Sequence, residues 1–201
     1  MPKLLLASAN PGKLLEMHAL LSDLPIELVT PSQIGVHIEI KESGNTYAQN
    51  AAIKAQAYAH ISGLLTLGDD SGLEVDAIHG LPGIRSARFS PKPGASDADR
   101  RAYLLEQLRG KPRPWLAHFR CTVALATPKG ELYFAEGECT GEIIPEERGQ
   151  YGFGYDPIFL LTETNTTMAE LPTTMKNILS HRARAIQAAR PLLTKLITTL
   201  G

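Results

Sequence analysis

Cysteine is scarce in this chain: Cys121 and Cys139 are the two among 201 residues. They form no CxxC and no metal-ligand spacing. The sequence therefore predicts a pair of buried free thiols in a reducing compartment, which excludes a disulfide scaffold and a zinc site. An excess of either charge is missing as well. Lys and Arg number 20 against 21 Asp and Glu, a net charge of -1. A non-specific nucleic-acid binder carries a basic surplus, so that class is disfavoured. Any anion site has to be built locally from a few cations. Long apolar runs are absent too. The opening Met1-Pro2-Lys3-Leu4-Leu5-Leu6 starts like a signal peptide, but Asn10 and Lys13 end the run, and no stretch approaches the ~20 apolar residues of a membrane helix. These shortages predict a soluble cytoplasmic protein that engages neither nucleic acid nor membrane.

What is present is an ordinary globular balance, 43% hydrophobic and 20% charged, long enough for one large domain or two lobes sharing a core. No repeat, low-complexity tract or linker divides the chain, so one folding unit over residues 1–201 is expected. Residues 3–7 read as a short buried strand, 8–12 as a loop and 13–21 as a helix. A second strand is expected at 26–29. Thr46 caps an alanine-rich helix over 47–61 that Gly63 ends. Separate strands are expected at 64–68 and 73–78, then a turn cluster at 79–83. Ser96, Asp97 and Asp99 open a helix running to 109, with Gly110 ending it. Residues 119–126 and 132–139 read as a hairpin around Pro128-Lys129-Gly130. A glycine-rich loop spans 149–154, and residues 180–200 are helical in pattern, with Pro191 expected to kink or split them. Strand–helix alternation followed by an antiparallel pair predicts an α/β fold with a mixed sheet.

The most informative segment is Asp69-Asp70-Ser71-Gly72, directly after the apolar run 64–68. Two adjacent carboxylates repel, and keeping both ionised requires a cation. Mg²⁺ suits them, being commonly held by one or two carboxylates plus substrate phosphates. The alternative is a solvated acidic turn. Ser8-Ala9-Asn10-Pro11-Gly12-Lys13 sits between strand and helix, where free backbone N–H groups and a lysine make an anion site. Ala7 and Leu14 fail the Walker pattern, and a plain strand-to-helix turn remains open. Glu42 precedes a run of good capping residues and reads either as a third metal carboxylate or as part of a cap. Lys54 lies on about the same helix face as Thr46, toward either the site or water. Gly152-Phe153-Gly154-Tyr155-Asp156-Pro157 offers aromatic faces that stack on a purine, or else a core-lining turn. Lys176, Ser180, His181 and Arg182 gather at the start of the last helix, as an anion or base-edge site or as a solvated helix end. Together these parts describe hydrolysis of a nucleoside triphosphate.

Five blocks in order resemble the inosine/xanthosine triphosphate pyrophosphatase family: residues 8–16 (SANPGKLLE), 42–55 (ESGNTYAQNAAIKA), 69–89 (DDSGLEVDAIHGLPGIRSARF), 153–159 (FGYDPIF) and 168–182 (MAELPTTMKNILSHR). The resemblance implies an elongated mixed β-sheet flanked by helices, in two lobes with a central substrate cleft, and a homodimer. It implies Mg²⁺-dependent conversion of ITP, dITP or XTP to the monophosphate and pyrophosphate. Carried over by position, Ser8, Ala9, Asn10, Pro11, Gly12 and Lys13 hold the triphosphate. Asp70 is the catalytic general base, and Ser71 touches substrate. Phe153, Gly154, Tyr155, Asp156, Lys176, His181 and Arg182 hold nucleotide, and Glu42, Asp69 and Asp70 form the metal corner. Three positions depart from the family pattern: Lys41 replaces the first of two acids, Gln49 stands where Glu is usual, and Met175 replaces an acid before Lys176. Buried donors such as His181 and Arg182 would meet the C6 oxygen of hypoxanthine or xanthine and be left unpaired against adenine, a basis for ~10⁴-fold discrimination. The other readings are a pyrophosphatase for different modified nucleotides and a nucleotide-binding module without hydrolysis.

Overall fold

The computed structural model describes residues 1–200. Its elements in chain order are β1 (Lys3–Leu6), α1 (Pro11–Leu21), β2 (Glu27–Val29), α2 (Tyr47–Ser62), β3 (Leu65–Val75), β4 (Leu81–Gly83), α3 (Asp97–Leu108), β5 (Trp115–Ala126), β6 (Leu132–Ile143), β7 (Phe159–Leu161), β8 (Thr166–Thr167), α4 (Thr173–Leu179) and α5 (His181–Leu200). The fold is α/β with an open mixed sheet, as expected. Its strand order is β2-β1-β3-β5-β6-β7-β8, with β4 added on β3. β1 pairs in parallel with both β2 and β3, while β3–β4, β6–β7 and β7–β8 are antiparallel.

Two compact units are interleaved along the chain. The first comprises Met1–Asp70, Cys121–Gly137 and Arg182–Gly201, and the second Ser71–Arg120 and Glu138–His181. Each has its own core. In the first unit, period-2 alternation sends successive side chains to opposite sheet faces. Leu65 and Leu67 of β3 and Cys121, Val123 and Leu125 of β5 pack with Met17 and Leu21 of α1 and Ala185, Ile186, Ala189 and Leu193 of α5. Ala124 and Ala126 face the other way, against Ala51, Ala55 and Ala59 of α2. The alanine stripe lets α2 approach closely: a Cβ at Gly68 would lie 2.7 Å from the Ala51 carbonyl oxygen. The second unit packs Leu73 and Val75, Leu104 and Leu108 of α3, Phe119, Phe159 and Met168 into a separate core.

Several local expectations are corrected. Within 64–78 lies one eleven-residue strand, β3, followed by a single 3-10 turn over Asp76–Ile78, rather than two strands, so the acid pair lies inside a strand and not at its end. Continuous pairing explains this: β3 meets β1 along its first part and β4 along its second. The turn cluster at 79–83 is a turn at His79 and Gly80, both at positive φ, leading into β4. Helix α1 begins at Pro11, because Asn10 caps it by accepting the Lys13 N–H at 3.1 Å. β5 and β6 extend beyond the expected hairpin arms. Residues 173–179 form a separate helix ending at Ser180, and α5 runs through Pro191 as one element. Pro191 is exposed, where water can satisfy the carbonyl its missing N–H leaves behind.

Candidate active site

In the first unit the strand alternation decides what each acid meets. Asp69 continues the Leu65–Leu67 face toward α1 and α5. Its Oδ2 accepts from Lys13 Nζ at 2.9 Å and from Arg182 Nε at 3.2 Å. Arg182 is 1% exposed and also donates to Glu16 of α1. Burial raises the Asp69 pKa, but Lys13 and Arg182 outweigh it and hold the carboxyl well below the usual range. Asp70 continues the Gly68 face toward α2. Its Oδ2 accepts from Asn50 Nδ2 at 3.0 Å, and Lys54 Nζ lies 3.9 Å from its Oδ1. Here burial wins over Lys54, Lys13 and Asn50, and the Asp70 pKa is raised. Two neighbouring carboxylates thus differ sharply: one is a fixed anion, the other a stronger base.

The segment before α2 is tied to the same place. Glu42 accepts from Lys54 Nζ at 2.6 Å. Burial lowers the Lys54 pKa, but Asp69, Asp70 and Glu42 overcome this and raise it, so the ammonium stays charged. Asn50 is fully buried, and its Oδ1 accepts the Gly44 N–H at 2.9 Å, which orients the amide so that its NH₂ faces Asp70. Gly44 has to be glycine, since a Cβ would lie 2.7 Å from that Oδ1. Gln49 accepts the Asn45 N–H at 2.6 Å and steadies the same turn. Lys41 is exposed.

Sequence reasoning gave Asn50 and Glu16 no role. The signal for Asn50 was a poor helix former among alanines on the buried face of α2. For Glu16 it was an acid three residues after Lys13, on the same helix face.

The residues suit Mg²⁺ as an ion that completes its shell with phosphate and water. Asp69 Oδ1 is buried with no hydrogen-bond partner, a carboxylate oxygen left for a cation. Among the described residues no three His, Cys, Asp or Glu groups form a ready-made cage. Glu42, Asp69 and Asp70 therefore do not constitute a preformed three-ligand site, and Lys54 occupies the ground between Glu42 and Asp70.

In the second unit, Asp156 Oδ2 accepts the Phe153 N–H at 2.9 Å and Lys176 Nζ at 2.7 Å. Lys176 stands 5.3 Å over the Phe153 ring, a cation–π contact. Gly152 leaves room for the pair, because a Cβ there would lie 2.1 Å from Asp156 Oδ2. Phe153 is half-buried and Tyr155 buried. The Tyr155 hydroxyl donates to the Ser86 carbonyl at 2.9 Å, and burial pushes its pKa up. Tyr155 thus lines the core, while Phe153 alone of the two presents an accessible ring. His181 is 6% exposed and stacks on Phe119 at 4.7 Å, so it is no solvated helix end. Ser71 is half-exposed on β3; Ser8 and Gly12 are half-buried, and Ala9, Asn10 and Pro11 exposed.

The first unit is thus a βα scaffold whose buried acids are matched by two lysines and an arginine beside a helix start, an arrangement suited to binding a polyanion. The chain belongs to the Ham1 family, whose model matches residues 4–192. It is 45% identical to a dITP/XTP pyrophosphatase of Desulforamulus reducens, covering 96% of both chains. It is 46% identical to one of Geobacter sulfurreducens, over 92% of this chain and 94% of that one. Among solved structures, a HAM1 protein from Coxiella burnetii superposes with a TM-score of 0.87 at 39% identity, covering 97% of this chain and all of the other. A nucleoside-triphosphatase / dITP/XTP pyrophosphatase from Mycobacterium abscessus matches at 0.73 and 42% identity, over 95% and 99% of the two chains.

Proposed function

We propose that this protein hydrolyses deaminated purine nucleoside triphosphates (ITP, dITP and XTP) to the monophosphate and pyrophosphate, clearing them from the nucleotide pool. The observation that carries the reading is the Asp69–Asp70 division of labour: an anchored anion that positions Lys13, next to a carboxylate whose pKa burial has raised. Family membership supports the substrate class.

Asp70 takes a proton from the water aligned on the α-phosphorus, and its raised pKa makes it the better base of the two. Asn50 and Lys54 fix its position. Lys13 and the amides at the start of α1, with Ser8, Ala9, Asn10, Pro11 and Gly12 around them, hold the leaving pyrophosphate. Asp69, Asp70 and Glu42 would hold Mg²⁺, which supplies charge neutralisation for the phosphates when bound. Positioning and fixed charges provide most of the barrier reduction, as is general for phosphoryl transfer. Ser71, Phe153, Gly154, Tyr155, Asp156, Lys176 and His181 are assigned to the nucleotide. The Phe153 ring supplies the stacking face, Asp156 holds Lys176 against it, and Tyr155 braces the loop from the core. Arg182 acts through Asp69 and Glu16 as a positioning residue. We also assign a homodimeric, cytoplasmic enzyme; the two cysteines are buried, and a reducing setting suits them.

The test is to incubate the purified protein with ITP, dITP, XTP, ATP and GTP, with and without Mg²⁺, and resolve the products. Monophosphate plus pyrophosphate from the deaminated nucleotides, only with Mg²⁺, is expected. Diphosphate plus phosphate would move the attack to the γ-phosphorus and strip Asp70 of its part as general base. Binding without turnover would leave a nucleotide-binding module.

A further inference from the structure

The glycine-rich segment that carries Phe153 is, by its own sequence, poorly suited to holding a ring still. Gly149, Gly152 and Gly154 all sit at positive φ (83°, 76° and 64°), and glycine loses more backbone freedom on ordering than any other residue. Something outside the segment must hold it. Helix α3 does so, with two residues one turn apart and hence on one face. Asp97 Oδ2 accepts the Gly154 N–H at 2.8 Å. Arg101 Nη1 donates to the Gly154 carbonyl at 2.8 Å, so both polar groups of that residue are held by α3. The rest of the same guanidinium makes a two-pronged contact with Glu147, Nε and Nη2 each at 2.8 Å. One arginine therefore ties the segment before the glycines to the residue that follows Phe153. Arg101 is 12% exposed, which favours a fixed fork over a mobile surface pair. Asp97 is itself braced by Arg100, and the start of α3 is locked by the Ser96–Asp99 capping box.

We propose that Asp97 and Arg101 are positioning residues for nucleobase recognition: they clamp Gly154 so that the neighbouring Phe153 ring is preset to stack on the purine. The proposal rests on the functional reading above. Both residues hold the backbone beside Phe153, and neither is assigned to the phosphates or the metal, so the clamp is expected to govern base affinity and not pyrophosphate binding. Preordering the ring spares the bound nucleotide the entropy of fixing the loop.

The experiment compares wild type with Asp97→Ala, Asp97→Asn, Arg101→Met and Glu147→Ala in the Mg²⁺-loaded enzyme. It reads KM and kcat for ITP, inhibition by IMP, which carries the base, and inhibition by inorganic pyrophosphate, which does not. Asp97→Ala and Arg101→Met are expected to raise KM and the IMP inhibition constant about tenfold, the scale of one charge-assisted hydrogen bond, with pyrophosphate inhibition unchanged. Asp97→Asn keeps an acceptor for the Gly154 N–H and should stay close to wild type. Glu147→Ala removes a half-exposed partner and is the variant least able to disturb folding; a rise in KM smaller than that of Arg101→Met is expected. Unchanged KM and IMP inhibition across these variants overturns the proposal. So does a loss of pyrophosphate inhibition in the same proportion, which would mark general damage. A wild-type enzyme that neither hydrolyses ITP nor binds IMP overturns the functional reading and this inference with it; an active wild type with unaltered variants overturns the inference alone.

Discussion

At the scale of single residues, the proposed role of Asp70 asks it to be reactive and buried together. Burial raises its pKa, so its ionised form is disfavoured by the fold. Asp70→Asn keeps the shape and the Asn50 hydrogen bond while removing that charge. It should lower kcat by ~10² or more with a melting temperature at or above wild type, a trade between stability and activity. A steady-state rate and a thermal melt on one preparation check both halves. Arg182 is the opposite case. It is buried between Glu16 and Asp69, and removing one partner of a buried ion cluster leaves uncompensated charge, costing ~3–5 kcal/mol. Urea unfolding of Arg182→Ala should show that loss. The residue types at both positions were legible in the sequence, and so was the acidic character of the site. The partners were not. Reading 69 and 70 as a strand end suggested two acids sharing one cation, whereas the alternation of a continuous strand gives Asp69 to α1 and α5 and Asp70 to α2.

Among elements, the contact of α2 with β3 sets the surroundings of Asp70, the proposed base. The cap at Thr46 and the stop at Gly63 were readable because both follow local rules: Thr46 accepts the Gln49 N–H, and Gly63 takes φ 68°. The closeness of the packing was not readable, since it depends on which strand lies beneath the alanine stripe. Gly68→Ala would place a methyl 2.7 Å from the Ala51 carbonyl and 3.0 Å from the Ala55 nitrogen. Helix α2 must then move, carrying Asn50 and Lys54 away from Asp70. Overpacking of this kind costs about 1–3 kcal/mol. The variant should therefore melt lower and also lose kcat, although Gly68 is assigned no part in binding or chemistry; kcat measured well below the lowered melting temperature separates the two effects. The boundary between α4 and α5 was hidden in the sequence for a related reason: the break at Ser180 is an extended residue with no glycine or proline to announce it.

For the whole molecule, two solution behaviours follow. No preformed metal cage exists among the described residues, and the cores are apolar. A chelator should therefore abolish hydrolysis while leaving the melting temperature of the ligand-free protein unchanged. Acid is a different matter. Asp69 and Asp97 titrate below their unfolded value of ~3.9, held there against burial by Lys13 and Arg182 in one case and by the Gly154 N–H and Arg100 in the other. Their contribution is complete above the unfolded value and is lost as pH falls through the lowered folded values. Asp70 has the opposite sign: its folded value is raised, so its protonation favours the folded state as pH falls toward the unfolded value. In metal-free buffer the melting temperature should hold or rise slightly as pH falls from 7, then drop steeply below pH ~4. Asp70→Asn should erase the rise and keep the drop. The α/β class and sheet type were evident from the strand–helix alternation. The interleaving of two cores was not, because it arises from pairings between segments far apart in the chain.

The separation between Asp69 and Arg182 also bears on how the protein is made. Their contact spans 113 positions, which at ~5–20 residues per second is on the order of ten seconds of translation. Throughout that interval the nascent chain holds Glu16 and Asp69 without the guanidinium that later joins them. The first unit cannot close its charged interior before α5 is synthesised, so a ribosome stalled ahead of codon 182 carries a chain whose buried ion cluster is still incomplete.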